Sequence, residues 1–254
     1  MGAGYTAYGG NEKPRILPVR PNPVEAGTGA AIWQAMKRAL VIGASGGIGA
    51  AVQEELVSRG YAVSGLSRSG DGLDVTDADA VARIMGGLDG PFEVIFVAIG
   101  TLAAGGGPEK SLQAIAPAQM AQVMAVNAIG PALVLAHVER LLPRQGRSVV
   151  GVLSARVGSI GDNRMGGWYS YRASKAAVNQ IVHGAAIEIG RKRKEAIVAA
   201  LHPGTVDTAF TADYPGHDKV SAAQAATNLC DVMERLERSQ SGGFFDYAGR
   251  EIPW

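Results

Sequence analysis

The chain has 254 residues, 47% of them hydrophobic, with a formal net charge of +1. That length suffices for one large α/β domain with a sizeable core, and the balanced charge gives no general electrostatic ground for nucleic acid or an anionic membrane as partner. The single cysteine, Cys230, can form neither an internal disulfide nor a cysteine metal cluster, which fits a reducing compartment and an expected cytoplasmic location. No apolar run reaches the roughly 18–20 residues of a membrane span, and no basic flank followed by an apolar core marks a secretory signal.

Residues 1–29 read as an extended or disordered arm, with Gly9-Gly10, four prolines (Pro14, Pro18, Pro21, Pro23) and little apolar periodicity. The domain proper is expected over 30–254. Arg38-Ala39-Leu40-Val41-Ile42 predicts a strand that runs straight into Gly43-Ala44-Ser45-Gly46-Gly47-Ile48-Gly49. An amphipathic helix follows and stops at Gly60, a natural C-terminal cap. In that setting glycines let the backbone approach a pyrophosphate, and a helix N-terminus offers free N–H groups and a positive dipole end. The bland alternative is a tight strand-to-helix turn. Residues 61–66 predict the second strand, ending in Ser67-Arg68-Ser69. The acid that would hold an unmodified ribose 2′-OH is missing there, and Arg68 suits a 2′-phosphate, which favours NADP(H) while leaving NAD(H) possible.

Leu73-Asp74-Val75 predicts a small third strand, with Asp74 and Val75 placed to flank an adenine. A helix is expected over 77–86 and a buried parallel strand within 91–99, followed by Gly100, where the backbone can pass close to a cofactor. Pro117 opens a long helix to about residue 142, interrupted by Asn127-Ala128-Ile129-Gly130-Pro131. Such local rule-breaking points to a kink or to an unpaired carbonyl able to hold a water. A strand over 148–153 ends in Ser154-Ala155.

The next helix, expected from about 170 to 190, carries Tyr171 and Lys175 at i and i+4, on one face. An ammonium beside a phenol favours the phenolate, so this Tyr could exchange a proton with a substrate oxygen near neutral pH. Residues 191–194 are a basic run that suits a solvated helix end. A strand over 196–201 leads into His202-Pro203-Gly204-Thr205-Val206-Asp207-Thr208, where His202 reads as structural. A loop with Tyr214 follows, then a helix capped by Ser221 and running to Arg238, a last strand over 243–247, and Ile252-Pro253-Trp254 packed near the sheet's C-terminal edge. Trp168, Tyr169 and Tyr214 suggest an apolar or aromatic substrate wall. Alternating strands and helices of these lengths predict a single α/β domain with a doubly wound, Rossmann-like parallel sheet, its ligands at the carboxyl ends of the strands.

With these residues in hand the chain resembles the short-chain dehydrogenase/reductase family over about 38–254. The motif from Gly43 to Gly49 is similar to the family's cofactor turn, Asp74 to its adenine-side acid, and Asn127 to its helix Asn. Tyr171 with Lys175 matches its catalytic pair, and Pro203-Gly204, Val206 and Thr208 its nicotinamide-side loop. Val157-Gly158-Ser159-Ile160-Gly161-Asp162-Asn163, then Gly167-Trp168-Tyr169, and the Ile-Pro-Trp ending look closer to the C-factor/sniffer-like carbonyl reductase branch. The resemblance implies hydride transfer between a nicotinamide and a carbonyl or secondary alcohol. It makes Tyr171 the general acid, Lys175 its pKa-lowering partner, Asn127 the support of a relay water and a serine the donor to the substrate oxygen. The family usually shows Ser-Ser where this chain has Ser154-Ala155, so Ser154 takes that role, or Ser159 reaches in, or the support is weakened. Ala98-Ile99-Gly100 likewise replaces Asn-Ala-Gly.

Two other readings stand beside the enzyme: a cofactor-binding signalling or interaction protein with little turnover, and a sugar-nucleotide epimerase, which the short segment between Thr208 and Ser221 disfavours. The two long apolar helices could pair across a twofold axis as homodimer or homotetramer.

Overall fold

Arg38–Ile42 forms β1, and Ala39, Leu40, Val41 and Ile42 are fully buried, so both faces of the strand are covered. Around it the computed structural model describes residues 36–212 and 218–254; the arm expected over 1–29, and Tyr214, lie outside these residues. The order along the chain is α1 (Gly47–Ser58), β2 (Ala62–Leu66), α2 (Arg68–Asp71), α3 (Ala78–Gly86), β3 (Val94–Val97), α4 (Pro117–Met124), α5 (Gly130–Leu141) and β4 (Ser148–Leu153). Then come α6 (Tyr169–Lys192), β5 (Ala196–His202), β6 (Val206–Asp207), β7 (Val220–Ser221), α7 (Ala222–Arg235) and β8 (Phe244–Asp246).

Six strands pair in parallel in the order β2-β1-β3-β4-β5-β8, and β6 and β7 form a separate two-stranded pair. Alternate residues of the sheet enter two cores. Leu40, Ile42, Ile95, Val97 and Val150 face α3, α5 and α6, whereas Ala39, Val41, Phe96, Val149 and Leu201 face α1 and α7. The sheet is therefore doubly wound, with its direction reversing between β1 and β3, where ligands of such sheets bind.

Local signals place the element ends. Gly60, at φ +84, donates to Val57 O at 3.0 Å while Tyr61 N donates to Leu56 O at 3.0 Å, the paired bonds of a left-handed helix stop. Ser221 accepts from Gln224 N and caps α7, which ends at Arg235 rather than 238. Trp254 stacks on Phe244 with centroids 5.9 Å apart, and Gly161 N donates to Trp254 O at 2.8 Å, so the closing residues do pack on the sheet edge.

Two expectations need correction. Leu73-Asp74-Val75 is not a strand. The one-turn α2 fills the connection, Gly72 ends it at φ +69, and Asp74 Oδ1 accepts from Thr76 N at 2.9 Å and Thr76 Oγ1 at 2.7 Å, satisfying the backbone locally instead of through a ladder. The break at Asn127 is a π-helical turn, Ala125–Ile129, joining α4 to α5 without interrupting the helical path. Pro131 has no N–H for the Asn127 carbonyl, and Gly130 N bonds back to Ala125 O, so the widened turn absorbs the missing donor. The whole stretch, Pro117–Leu141, is apolar and long enough by composition to cross a membrane, at a mean hydropathy of 1.5. Here its apolar stripe, Val123, Val134, Leu135, Val138 and Leu141, is buried.

Candidate active site

The turn after β1 is built by close approach. Gly43 has φ +87, and a Cβ there would stand 2.3 Å from Ala98 O, the first residue beyond β3. A Cβ on Gly49 would meet Gly43 O at 2.1 Å, so the helix can rise from the strand only with glycine at both positions. Gly43 N and Ala44 N donate to Leu66 O at 2.8 and 3.0 Å, which ties the turn to β2. The N-cap of α1 is Gly46, and no side chain caps it. Ser45, Gly46 and Gly47 are exposed, so α1 points uncapped N–H groups and its positive end outward, as an anionic diphosphate requires. Ile48 is half-buried against the α1–α7 core.

Flanking pieces converge on this turn. A Cβ on Gly47 would lie 2.7 Å from Thr208 Cγ2, so the loop after β5 closes over the start of α1. In that loop Pro203 and Val206 are buried and Gly204 adopts φ +80. Arg68 is exposed at the end of β2 as the first residue of α2, and among the described residues no carboxylate pairs with it. Asp74 is held below the ordinary carboxylate range by its hydrogen bonds from Thr76, with the Arg68 charge adding to them. Val75 packs against Gly130, where a Cβ would stand 2.8 Å from Val75 Cγ2.

The second half of the site is the first two turns of α6. Tyr171 is 6% exposed and Lys175 2%. Lys175 Nζ donates to Leu153 O at 3.0 Å and lies 5.9 Å from the Tyr171 ring centroid. A Cβ on Gly100 would come within 3.4 Å of Lys175 Nζ and 3.6 Å of Asn127 Oδ1, so this glycine leaves open the space between β3, the π turn and α6. Asn127 is fully buried. Its Oδ1 accepts from Thr101 N at 2.7 Å, and its Nδ2 donates to Thr101 O at 2.8 Å and Ser174 Oγ at 2.9 Å. Burial lowers the Lys175 ammonium to about 8. Burial also raises the Tyr171 phenol above its ordinary value. The expectation that the ammonium lowers the phenol is therefore reversed by desolvation, which here is the larger influence.

Both candidate serines are buried and hydrogen-bonded within the fold. Ser154 is 3% exposed and donates to Asn179 Oδ1 at 2.6 Å, in the joint between β4 and α6. Ser159 is 1% exposed, donates to Pro253 O at 2.5 Å and accepts from Asp162 N at 3.1 Å. His202 is neutral at physiological pH: burial, with help from Arg156, lowers it to about 4, in keeping with a structural residue. Around the start of α6 stand two residues that gave no sequence signal, Phe210 and Glu109, and the expected wall residue Trp168. Phe210 lies 6.1 Å from its ring on the side of the 209–211 turn, Trp168 meets it edge-on at 6.2 Å, and Glu109 reaches the start of α6 from a distant loop. The Trp168 backbone is left-handed, at φ +53, which no sequence pattern announces.

The chain is similar to several known proteins. A family model described as enoyl-(acyl carrier protein) reductase matches residues 43–237. A 1-hydroxy-2-glutathionyl-2-methyl-3-butene dehydrogenase from a Rhodococcus species is 31% identical over 237 residues, covering 86% of this chain and 100% of that protein. C-signal of Myxococcus xanthus is 40% identical over 143 residues, 54% of this chain and 80% of that one. Among solved structures, the NADPH-bound carbonyl reductase from chicken fatty liver superposes with a TM-score of 0.69 at 21% identity, over 86% of this chain and 99% of that one.

Proposed function

The chain belongs to the short-chain dehydrogenase/reductase family of NAD(P)-dependent oxidoreductases, and on that footing we propose that it is an NADP(H)-dependent carbonyl reductase or alcohol dehydrogenase. One observation carries this reading: Tyr171 and Lys175 are buried one turn apart on α6, with Lys175 Nζ beside the space kept by Gly100 at the carboxyl ends of the strands. The residues present fit a dinucleotide, because the turn at 43–49 leaves Ser45, Gly46 and Gly47 exposed at a helix N-terminus that no side chain caps. The N–H groups of Ser45, Gly47 and Ile48 would hold the diphosphate, with Gly46 N donating to Gly43 O at 3.0 Å to shape the turn between them, Arg68 the 2′-phosphate, and Asp74 and Val75 the adenine. Gly100, Lys175 and the 203–208 loop, with Pro203, Gly204, Val206 and Thr208, would hold the nicotinamide side. The NADPH-bound carbonyl reductase of the same fold supports NADP(H) over NAD(H), as does the exposed guanidinium of Arg68.

When bound, the nicotinamide supplies or accepts the hydride. The chain's own part is the proton. In reduction, Tyr171 Oη gives its proton to the carbonyl oxygen as negative charge develops there. A phenol kept protonated by burial is well suited to that direction. Lys175, still largely charged at neutral pH with a value of about 8, favours the phenolate left behind. Asn127 holds Thr101 and Ser174 around the pair, and the family resemblance makes it the support of a water in the relay. Ser154 and Ser159 are bonded to Asn179 and Pro253, so this reading leaves the substrate oxygen to Tyr171 alone. Trp168 and Phe210 flank the phenol and favour a carbonyl on an apolar or aromatic group. Ile129 and Ile187, each 53% exposed on the long helices, support a homodimer or homotetramer, and the lone buried Cys230 accords with a cytoplasmic enzyme.

The test is binding of NADPH and NADH, and oxidation of each against a carbonyl panel, in wild type and Tyr171→Phe. Reduction with NADPH that falls about 10²–10⁴-fold in the variant is the expected result. The likeness to C-signal and the engaged serines favour a second reading, a cofactor-binding signalling protein; tight NADPH binding without turnover on any carbonyl would select it.

A further inference from the structure

Glu109 sits in the loop between β3 and α4, and its side chain is 8% exposed. Among the described residues no cation pairs with this buried carboxylate; it accepts from the start of α6 and from its own backbone N–H. Ser170 N donates to Glu109 Oε2 at 3.2 Å, Ser170 Oγ donates to Oε1, and Trp168 N donates to the Glu109 carbonyl at 2.5 Å. The helix needs this help, because its N-cap position is Trp168, in the left-handed conformation and with no capping side chain of its own. A bulky residue holds that conformation only where its surroundings over-determine it. A carboxylate suits the place, since the helix dipole favours negative charge at its N-terminus. Burial pushes the Glu109 carboxyl up, but the bonds from Ser170 outweigh it and the group stays below its ordinary value.

The same loop is fastened to α6 a second time. Thr101, at its other end, is bonded to Asn127, which donates to Ser174. Ser170 and Ser174 stand one turn apart on α6, and Tyr171 lies between them in sequence. Between the two fastenings Gly105, Gly106 and Gly107 all take positive φ. Arg172 braces the other side of the turn, with Nε to Gly167 O at 3.0 Å and its backbone N to Trp168 O at 2.8 Å.

We propose that Glu109 is a positioning residue for Tyr171: through Ser170 and Trp168 it fixes the first turn of α6 and with it the place of the phenol. The inference rests on the carbonyl reductase reading. It is tested in the full-length chain by kcat and KM for an aromatic aldehyde and Kd for NADPH, in wild type, Glu109→Ala and Glu109→Gln, each with and without Tyr171→Phe. Glu109→Ala is expected to lower kcat about 10–100-fold, the scale of a small misplacement of a reacting group, with KM and the NADPH Kd within about three-fold. In the Tyr171→Phe background it should change the residual turnover, followed over hours, by less than about two-fold. Glu109→Gln, which keeps an acceptor oxygen at the same reach, should lose less. An unchanged kcat with only a lowered melting temperature overturns the inference, and so does an equal loss in both backgrounds. If Glu109→Ala does not fold, Glu109→Gln carries the comparison, and a wild-type kcat there overturns it. No turnover by the wild type removes the enzyme reading and this inference together, whereas an active wild type with an unaffected Glu109→Ala removes this inference alone.

Discussion

Ser154 gives its hydroxyl proton to Asn179 at 2.6 Å, across the joint where the end of β4 meets α6. Both residues are nearly fully buried, and the Asn179 Nδ2 finds no partner among the described residues. The bond therefore belongs to the packing of the helix that carries Tyr171. Ser154→Ala should destabilise the protein by about 1–3 kcal/mol, because it leaves a second buried amide atom unpaired. It should change kcat by no more than a few-fold. Thermal unfolding and steady-state kinetics on the same preparation separate the two effects, and a hundred-fold loss of kcat would return Ser154 to the chemistry.

Ala155 is the neighbouring residue and carries no donor. A hydroxyl placed there would add what the engaged Ser154 and Ser159 do not supply. Losing one oxyanion donor costs about 10²–10³ in turnover, so Ala155→Ser should raise kcat for a carbonyl by about ten-fold or more, with KM little changed. A drop in kcat would show that the methyl group shapes the substrate space.

Lys175 is buried at the expense of its charge. Its value in the folded chain, about 8, lies below the ordinary 10.5, so between those pH values the unfolded chain binds the extra proton. Stability from this group therefore rises as pH goes from about 8 to 10.5, and below 8 the full cost persists. That cost is about 3 kcal/mol, offset by roughly 1 kcal/mol from the bond to Leu153 O. Lys175→Met should accordingly melt several degrees above wild type at pH 7, with the gap closing toward pH 10, while turnover collapses. A variant less stable than wild type at pH 7 would contradict this account.

Arg68 is the one basic residue in the 67–72 connection, where a 2′-phosphate is expected. Arg68→Ala should weaken NADPH by about 10–100-fold, the worth of one charge-assisted contact of about 1.5–3 kcal/mol, and leave NADH within two-fold. Equal weakening of both cofactors would place the guanidinium on a part they share.

What the sequence made legible were features whose cause is local. The strand, glycine turn and helix at 38–58 follow from steric need at Gly43 and Gly49, and the Tyr171–Lys175 pair from helical spacing. Misread were places where one side chain or one distant contact decides. Residues 73–75 have a strand-like composition, but the Asp74 carboxylate satisfies Thr76 and closes a turn. Ser154 stands where a donor is expected, but only the packing of α6 shows that Asn179 takes it. Glu109 is sixty-one residues from Ser170, a separation that no periodicity reveals. The Tyr171 pKa was misjudged for the same reason: the spacing shows the ammonium, and the burial that outweighs it exists only in the fold.

Trp168 also gives the protein a built-in optical reporter. Its indole meets the Tyr171 ring edge-on at 6.2 Å, and indole emission overlaps the absorption of a reduced nicotinamide. Of the other two tryptophans, Trp254 is stacked on Phe244 and Trp33 lies outside the described residues. Quenching of the ultraviolet-excited emission on titration with NADPH, lost in Trp168→Phe and kept in Trp254→Phe, would read occupancy of the site in real time without a label and before any substrate is known.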